Sequence, residues 1–188
     1  MIRLFVALRP PRSVRDGLLD VMDGVAGARW QDDEQLHVTL RFIGEVERAV
    51  AEDVADVLAQ VHADAPTVAI AGVGTFEKRG RIDTLWAGIK PAAPLAALHR
   101  KIDHALVRVG IAPERRAYLP HLTIARLART LGDRAQIEAW IARNAALASD
   151  PFVLPHLILY RSHLDHAGAT YEPVARWSLV TRSEPGVR

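Results

Sequence analysis

The chain has 188 residues, 49% of them hydrophobic and 24% charged, with 12 Gly, 11 Pro, 8 His and no cysteine. Its length suits one compact domain or two small lobes, and the missing cysteine excludes disulfides, thiolate metal sites and a cysteine nucleophile together. Net charge is +2, and apart from Lys78, Lys90 and Lys101 every basic residue is arginine; such forks suit phosphate, but the total is far below the dense basic footprint of a duplex binder.

Arg3 to Leu8 is an apolar run fit for a buried strand. It meets Arg9-Pro10-Pro11-Arg12, which ends any leader-like stretch. No run approaches the roughly 20 apolar residues of a spanning helix, so a soluble cytoplasmic protein is expected. Val14, Leu18, Val21, Met22 and Val25 recur at helical spacing up to Gly27. Leu36 to Ile43 alternates as a strand and stops at Gly44. Val50, Val54, Val57, Leu58 and Val61 mark a second amphipathic helix. Val68 to Val73 and Thr84 to Ile89 read as strands joined through the polar loop Glu77–Asp83, a hairpin.

The order then repeats. Leu95, Leu98, Ile102, Leu106 and Val109 form a helical stripe closed by Gly110. Leu122 to Leu127 is a strand, and Asp133 with Gln136 resembles a capping box opening a helix through Ile137, Trp140 and Ile141. Phe152–Tyr160 and Tyr171–Val180 are strands around the turn Asp165–Gly168. Leu4 precedes His37 by 33 residues, and Leu85 precedes His121 by 36, each interval holding one helix. The expected fold is α+β, with two pseudo-symmetric lobes and largely antiparallel sheet. The short turns cannot be parallel crossovers. Residues 1–182 would form one domain, and 183–188 a mobile tail.

The informative feature is a near-duplicated hexapeptide. His37-Val38-Thr39-Leu40-Arg41-Phe42 is followed 84 residues later by His121-Leu122-Thr123-Ile124-Ala125-Arg126. In a strand, His and Thr share one face while Val38/Leu40 and Leu122/Ile124 turn to the core. Two lobes can thus bring two imidazoles and two hydroxyls to one cleft on the pseudo-axis. Near neutral pH one imidazole can take a proton from a nucleophile while the other gives one to a leaving oxygen, without metal or cofactor. Threonine hydroxyls and a guanidinium would hold the phosphate oxygens. The set suits in-line opening of a phosphodiester, a strained cyclic one above all.

On these residues the chain resembles the two-histidine phosphoesterases, and within them the RNA 2′,3′-cyclic phosphodiesterases, historically called 2′-5′ RNA ligases. Leu4–Leu8, Trp30, Phe42-Ile43-Gly44, Leu85-Trp86-Ala87-Gly88, Pro120, Ser162-x-Leu164, Gly168, Tyr171 and Trp177 carry the rest of the likeness. The resemblance implies a bilobed fold with outer helices and a central cleft. It implies action on RNA 3′ ends or small nucleotides carrying a 2′,3′-cyclic phosphate, leaving a 2′-phosphate, with no cofactor, no metal, no membrane and a monomer as the acting unit. His37 is then the general acid, His121 the general base, Thr39, Thr123 and Arg126 the phosphate ligands, and Phe42 the platform for the terminal base. Other readings are reversible 2′,5′ ligation, a non-catalytic RNA-binding module, and a sibling activity on a cyclic phosphate of ADP-ribose or on 2′,5′-oligoadenylate.

Phe42 and Arg126 each lie five residues after their histidine, which in a regular strand is the opposite face. Either the strand twists, bulges or ends after each threonine, or these residues do not line the site. By strict alternation Arg41 is a rival phosphate ligand, although the resemblance favours Arg126. His163 and His166 lack a third ligand for a metal. His99 and His104 are read as partly exposed on a helix, and His62 and His156 as bystanders. Lys78-Arg79-Gly80-Arg81 is read as a solvated hairpin tip, with contact to an RNA backbone as the alternative. Arg115 and Arg116 border the second motif, and Tyr171 and Trp177 are read as core.

Overall fold

A computed structural model describes residues 1–127, 134–164 and 168–181, which form nine strands and four helices. In chain order these are β1 (Ile2–Leu8), α1 (Arg12–Leu19), β2 (Ala28–Trp30), β3 (Val38–Val46), α2 (Arg48–Ala59), β4 (Thr67–Lys78), β5 (Arg81–Lys90), α3 (Ala93–Val107), β6 (His121–Leu127), α4 (Arg134–Asn144), β7 (Phe152–Val153), β8 (His156–Leu164) and β9 (Ala169–Ser178), with a short 3-10 turn at Asp33–Gln35. All ladders between these strands are antiparallel, in the order β7-β4-β5-β6-β3-β1-β8-β9, and β2 adds to β6.

Two half-sheets meet in the middle. β3 and β6 share a single residue pair, Val38 with Leu122, so the sheet divides there into β3-β1-β8-β9 and β6-β5-β4-β7. The lobes do not follow the halves of the sequence: the C-terminal hairpin β8–β9 completes the first lobe by pairing with β1. β1 therefore has a neighbour on both edges and apolar partners on both faces. Leu4, Val6 and Leu8 join the main core, while Phe5 and Ala7 join Ile158 and Tyr160 on the other side. That double burial is why Leu4–Leu8 reads as an unbroken apolar run.

The helices cover one face of this sheet. Leu18, Val54, Leu58, Leu95, Ile102, Leu106 and Trp140, all at most 2% exposed, pack on Val38, Leu40, Leu85, Leu122 and Ile124. Full burial of such a side chain is worth about 1.5–3 kcal/mol, so each histidine motif is anchored through the residues that flank its histidine and threonine. Among the described residues no helix is long and apolar enough to cross a membrane.

Several boundaries differ from the sequence reading. α1 ends at Leu19, and Val21, Met22 and Val25 pack on the core from the turns that follow. Most of the expected loop Glu77–Asp83 is strand, because Arg79 (φ 55°) and Gly80 (φ 74°) make a two-residue turn with positive φ at both positions, the twist that suits a tight hairpin. β7 and β8 are separate because Leu154 and Pro155 interrupt them, and proline has no N–H for a ladder. Strand β2 is not legible in the sequence, because three residues carry too little periodicity. Asp133, the expected cap of α4, and the tail from Ser183 lie outside the described residues. The Gln136 side chain instead accepts a hydrogen bond from the Ala26 amide at 2.8 Å.

Candidate active site

The single β3–β6 pair fixes the geometry of the two motifs. Val38 and Leu122 are both fully buried toward the helices, so the residues on either side of each turn to the opposite face. Continuing the antiparallel register one step each way sets His37 against Thr123 and Thr39 against His121. Diagonal positions of a regular ladder have Cα atoms about 7–8 Å apart, and the positive field of His121 reaches His37. The two motifs thus lie on either side of the Val38–Leu122 pair.

Both imidazoles are held alike. His37 Nδ1 bonds the Gln35 carbonyl at 2.7 Å, and His121 Nδ1 bonds the Leu119 carbonyl at 2.8 Å, each two residues back. A carbonyl only accepts, so Nδ1 carries the proton and Nε2 is left to exchange protons with a ligand. The contact alone does not mark a catalytic residue: exposed His62 makes it too, to Gln60 at 2.8 Å. What differs is the surroundings. His37 sits among Phe5 (ring centroids 4.9 Å), Tyr171 (5.1 Å, edge-on) and Tyr160 (6.1 Å). His121 sits against Phe76 (4.8 Å, edge-on) and Trp86 (6.3 Å).

These walls set the proton affinities. Desolvation is the largest cause pushing the His37 pKa down to about 4; the Gln35 carbonyl opposes it, and the positive fields of His121, Arg126 and Arg9 add to it. His121 is lowered as well, first by desolvation and then by Arg126, against the Leu119 carbonyl. Both shifts favour the neutral ring. An anion between them would offset the cationic fields and favour the imidazolium.

The odd offset of Phe42 and Arg126 is resolved by two matched bulges. Thr39 pairs with Ala7 and Arg41 with Val6, leaving Leu40 as an extra residue. Thr123 pairs with Trp86 and Ala125 with Leu85, leaving Ile124 extra. The added residue resets the alternation: Leu40 and Arg41 are both buried, Ile124 and Ala125 are both buried, and Phe42 and Arg126 emerge exposed into the cleft. Each bulge frees carbonyls that need donors. In the first lobe Tyr118 Oη donates to the Thr39 carbonyl (3.1 Å) and His99 Nδ1 bonds that of Leu40 (2.8 Å). In the second lobe the Gln31 amide donates to the Ile124 carbonyl at 2.9 Å. His99 is thus buried and stacked on Tyr118 at 4.5 Å, not partly exposed as its spacing suggested.

The same bulge removes Arg41 from the rival role. Its guanidinium is buried away from the cleft, bonded to Asp103 at 2.7 Å and to the Phe42 and Ala112 carbonyls. Arg126 points the other way. Its Nη1 donates to Thr84 Oγ1 at 2.7 Å, and Thr84 donates to Asp83 at 2.8 Å, which steadies the guanidinium; among the described residues its other donors have no partner. Thr39 and Thr123 are half-buried, and neither hydroxyl bonds another described residue.

An open cleft of about 1320 Å³ lies beside the motifs; Phe5, Phe42, Arg126 and Tyr171 line it, whereas His37, His121, Thr39 and Thr123 do not. Tyr171 packs on the Phe5–Tyr160 core cluster, as expected, and also lines the cleft wall; His37 stands one ring behind, in contact with Phe5 and Tyr171. The sequence offered no sign of Phe5, Phe76, Trp86 or Thr84 as site neighbours, because each is brought there by strand pairing. Arg115 and Arg116 are exposed and donate backbone amides to Glu114. His163 pairs with Glu172 at 3.1 Å, and His166 lies outside the described residues. Among the described residues no cluster of three or more metal-ligating side chains occurs.

The chain is 33% identical to an RNA 2′,3′-cyclic phosphodiesterase of Geobacillus stearothermophilus over 153 residues, 80% of this chain and 48% of that one, so it spans about half the length of that relative. It is 25% identical to the RNA 2′,3′-cyclic phosphodiesterase of Methanocaldococcus jannaschii, covering 94% of this chain and all of that one. In fold it matches E. coli LigT complexed with 3′-AMP, with a TM-score of 0.74 at 21% identity over 95% of this chain and 98% of the other. The profile of the 2′-5′ RNA ligase superfamily matches residues 11–166, and to that superfamily the chain belongs.

Proposed function

We propose that this chain is an RNA 2′,3′-cyclic phosphodiesterase that opens the cyclic phosphate of an RNA 3′ end, or of a small nucleotide, to a 2′-phosphate. The observation that carries this is the pair of half-buried imidazoles, each locked through Nδ1 to a backbone carbonyl, on either side of the Val38–Leu122 pair. His121 Nε2 takes a proton from water as the water oxygen bonds to phosphorus. His37 gives its Nε2 proton to O3′ as the P–O3′ bond breaks. The ring is opened, His37 ends neutral and His121 protonated, and solvent restores both. Thr39 and Thr123 donate to the non-bridging oxygens, Arg126 neutralises the charge gathering on them, and Phe42 stacks on the terminal base. Because burial lowers the His37 pKa, the phosphate charge itself recruits the acid's proton.

All of these groups come from one chain, which supports a monomer as the acting unit. The test is hydrolysis of a 2′,3′-cyclic nucleotide in EDTA, with release of the 2′-phosphate. His37→Ala and His121→Ala should each lose at least about 100-fold in kcat/KM, the scale of a proton-transfer group. Rates surviving either substitution overturn the assignment.

A further inference from the structure

The cleft is larger than one terminal nucleotide needs; typical small-ligand pockets are about 300–1,000 Å³, against about 1320 Å³ here. Its surplus is cationic. Arg29 on β2 pairs directly with Arg126 on β6, so two guanidinium groups share one face, an arrangement that costs stability without an anion. The β4–β5 turn adds Lys78 and Arg79 to the lining. Among the described residues none of Arg29, Lys78 and Arg79 forms an ion pair. Of the carboxylates there, Glu77 lies beside Lys78 in the lining and Asp83 is engaged by Thr84.

Distance decides what these cations serve. His121 pairs with Gly88 on β5, and Arg126 pairs with Thr84. From Gly88 to Arg81 at the turn is seven residues of strand, about 20 Å along the chain. A single nucleotide held at the histidines does not reach that far.

We propose that Lys78 and Arg79, with Arg29 on the way, form a second anion subsite that holds the phosphates of the RNA chain upstream of the terminal nucleotide. The inference rests on the hydrolytic reading above and extends it: the same chemistry is made selective for oligonucleotides over cyclic mononucleotides. An RNA chain is the occupant because its backbone supplies regularly spaced negative charge over the distance the basic residues span.

The full chain is assayed with 2′,3′-cyclic AMP and with oligoadenylates of two to six nucleotides bearing the same cyclic end. KM should fall about 10-fold by four nucleotides with kcat nearly constant. The gain should shrink as salt rises from about 50 to 200 mM, with a log–log slope steeper by about 0.7 per added phosphate contact. Lys78→Ala/Arg79→Ala should abolish the gain and leave cyclic AMP hydrolysis unchanged. Equal KM for monomer and hexamer, or an equal loss on both substrates in the double variant, overturns the proposal. So does an equal gain from placing a 5′-triphosphate on the mononucleotide, which would assign the cations to terminal phosphates. If nothing is hydrolysed, the reading of function fails separately. Fluorescence anisotropy of a labelled hexamer ending in 2′-phosphate then still tests the subsite, which the double variant should weaken about 10-fold and which equal binding would refute.

Discussion

Replacing Tyr171 with alanine probes the electrostatics of the site most directly. The ring stands edge-on to His37 at 5.1 Å and lines the cleft, with Phe5 and Tyr160 as the other walls. Desolvation is the main reason His37 titrates at about 4 in place of 6.5, which corresponds to about 3 kcal/mol against the imidazolium. Removing one of three aromatic walls readmits water and should recover about one-third of that, raising the His37 pKa by about 1. Two measurements follow it: the pH titration of the His37 ring protons by NMR, and the pH profile of kcat/KM, which reports the free enzyme. The wild-type profile should be a bell with its optimum below pH 6.5, since both histidines are lowered. In Tyr171→Ala the acid limb should move up by about one pH unit. If His37 is the general acid, kcat/KM at pH 7 should rise as well, by up to about 10-fold as its protonated fraction grows. A wild-type His37 titrating near 6.5, or a limb unmoved in the variant, refutes the reasoning.

Stability should follow the same proton. His37 binds a proton near 6.5 when unfolded but near 4 when folded, so its contribution is complete above pH 6.5 and is lost on acidification, by up to about 3 kcal/mol by pH 4. Chemical denaturation of wild type and His37→Gln at several pH values should show the variant losing less over that window. Arg41→Ala should destabilise by up to about 3 kcal/mol, because it leaves the partly buried Asp103 without its guanidinium partner. Arg126→Ala should leave the denaturation midpoint nearly unchanged and lower kcat/KM by at least about 100-fold; the opposite pattern would exchange the two roles. Gly74→Ala would set a Cβ 2.2 Å from the Trp86 ring, and overpacking of this kind costs about 1–3 kcal/mol. Since Trp86 packs on His121, the variant should lose activity along with stability, read by thermal melts and kcat/KM together.

The duplicated His-x-Thr pattern, the alternation that separates Val38, Leu40, Leu122 and Ile124 from the motif residues, and the α+β class with antiparallel hairpins are all legible in the amino-acid order. These are local properties: side-chain period and turn chemistry lie within a few residues of each other. That order also poses a conflict of parity at Phe42 and Arg126 without being able to resolve it. Strand pairing resolves it, because a bulge is defined by the partner strand: Leu40 is extra only against Ala7 and Val6, and Ile124 only against Trp86 and Leu85. The burial of Arg41 with Asp103, the aromatic walls that lower both histidines, and the return of β8–β9 to the first lobe have the same origin. Each depends on contacts between residues distant in the chain, and no local pattern encodes which strand edge a segment will meet.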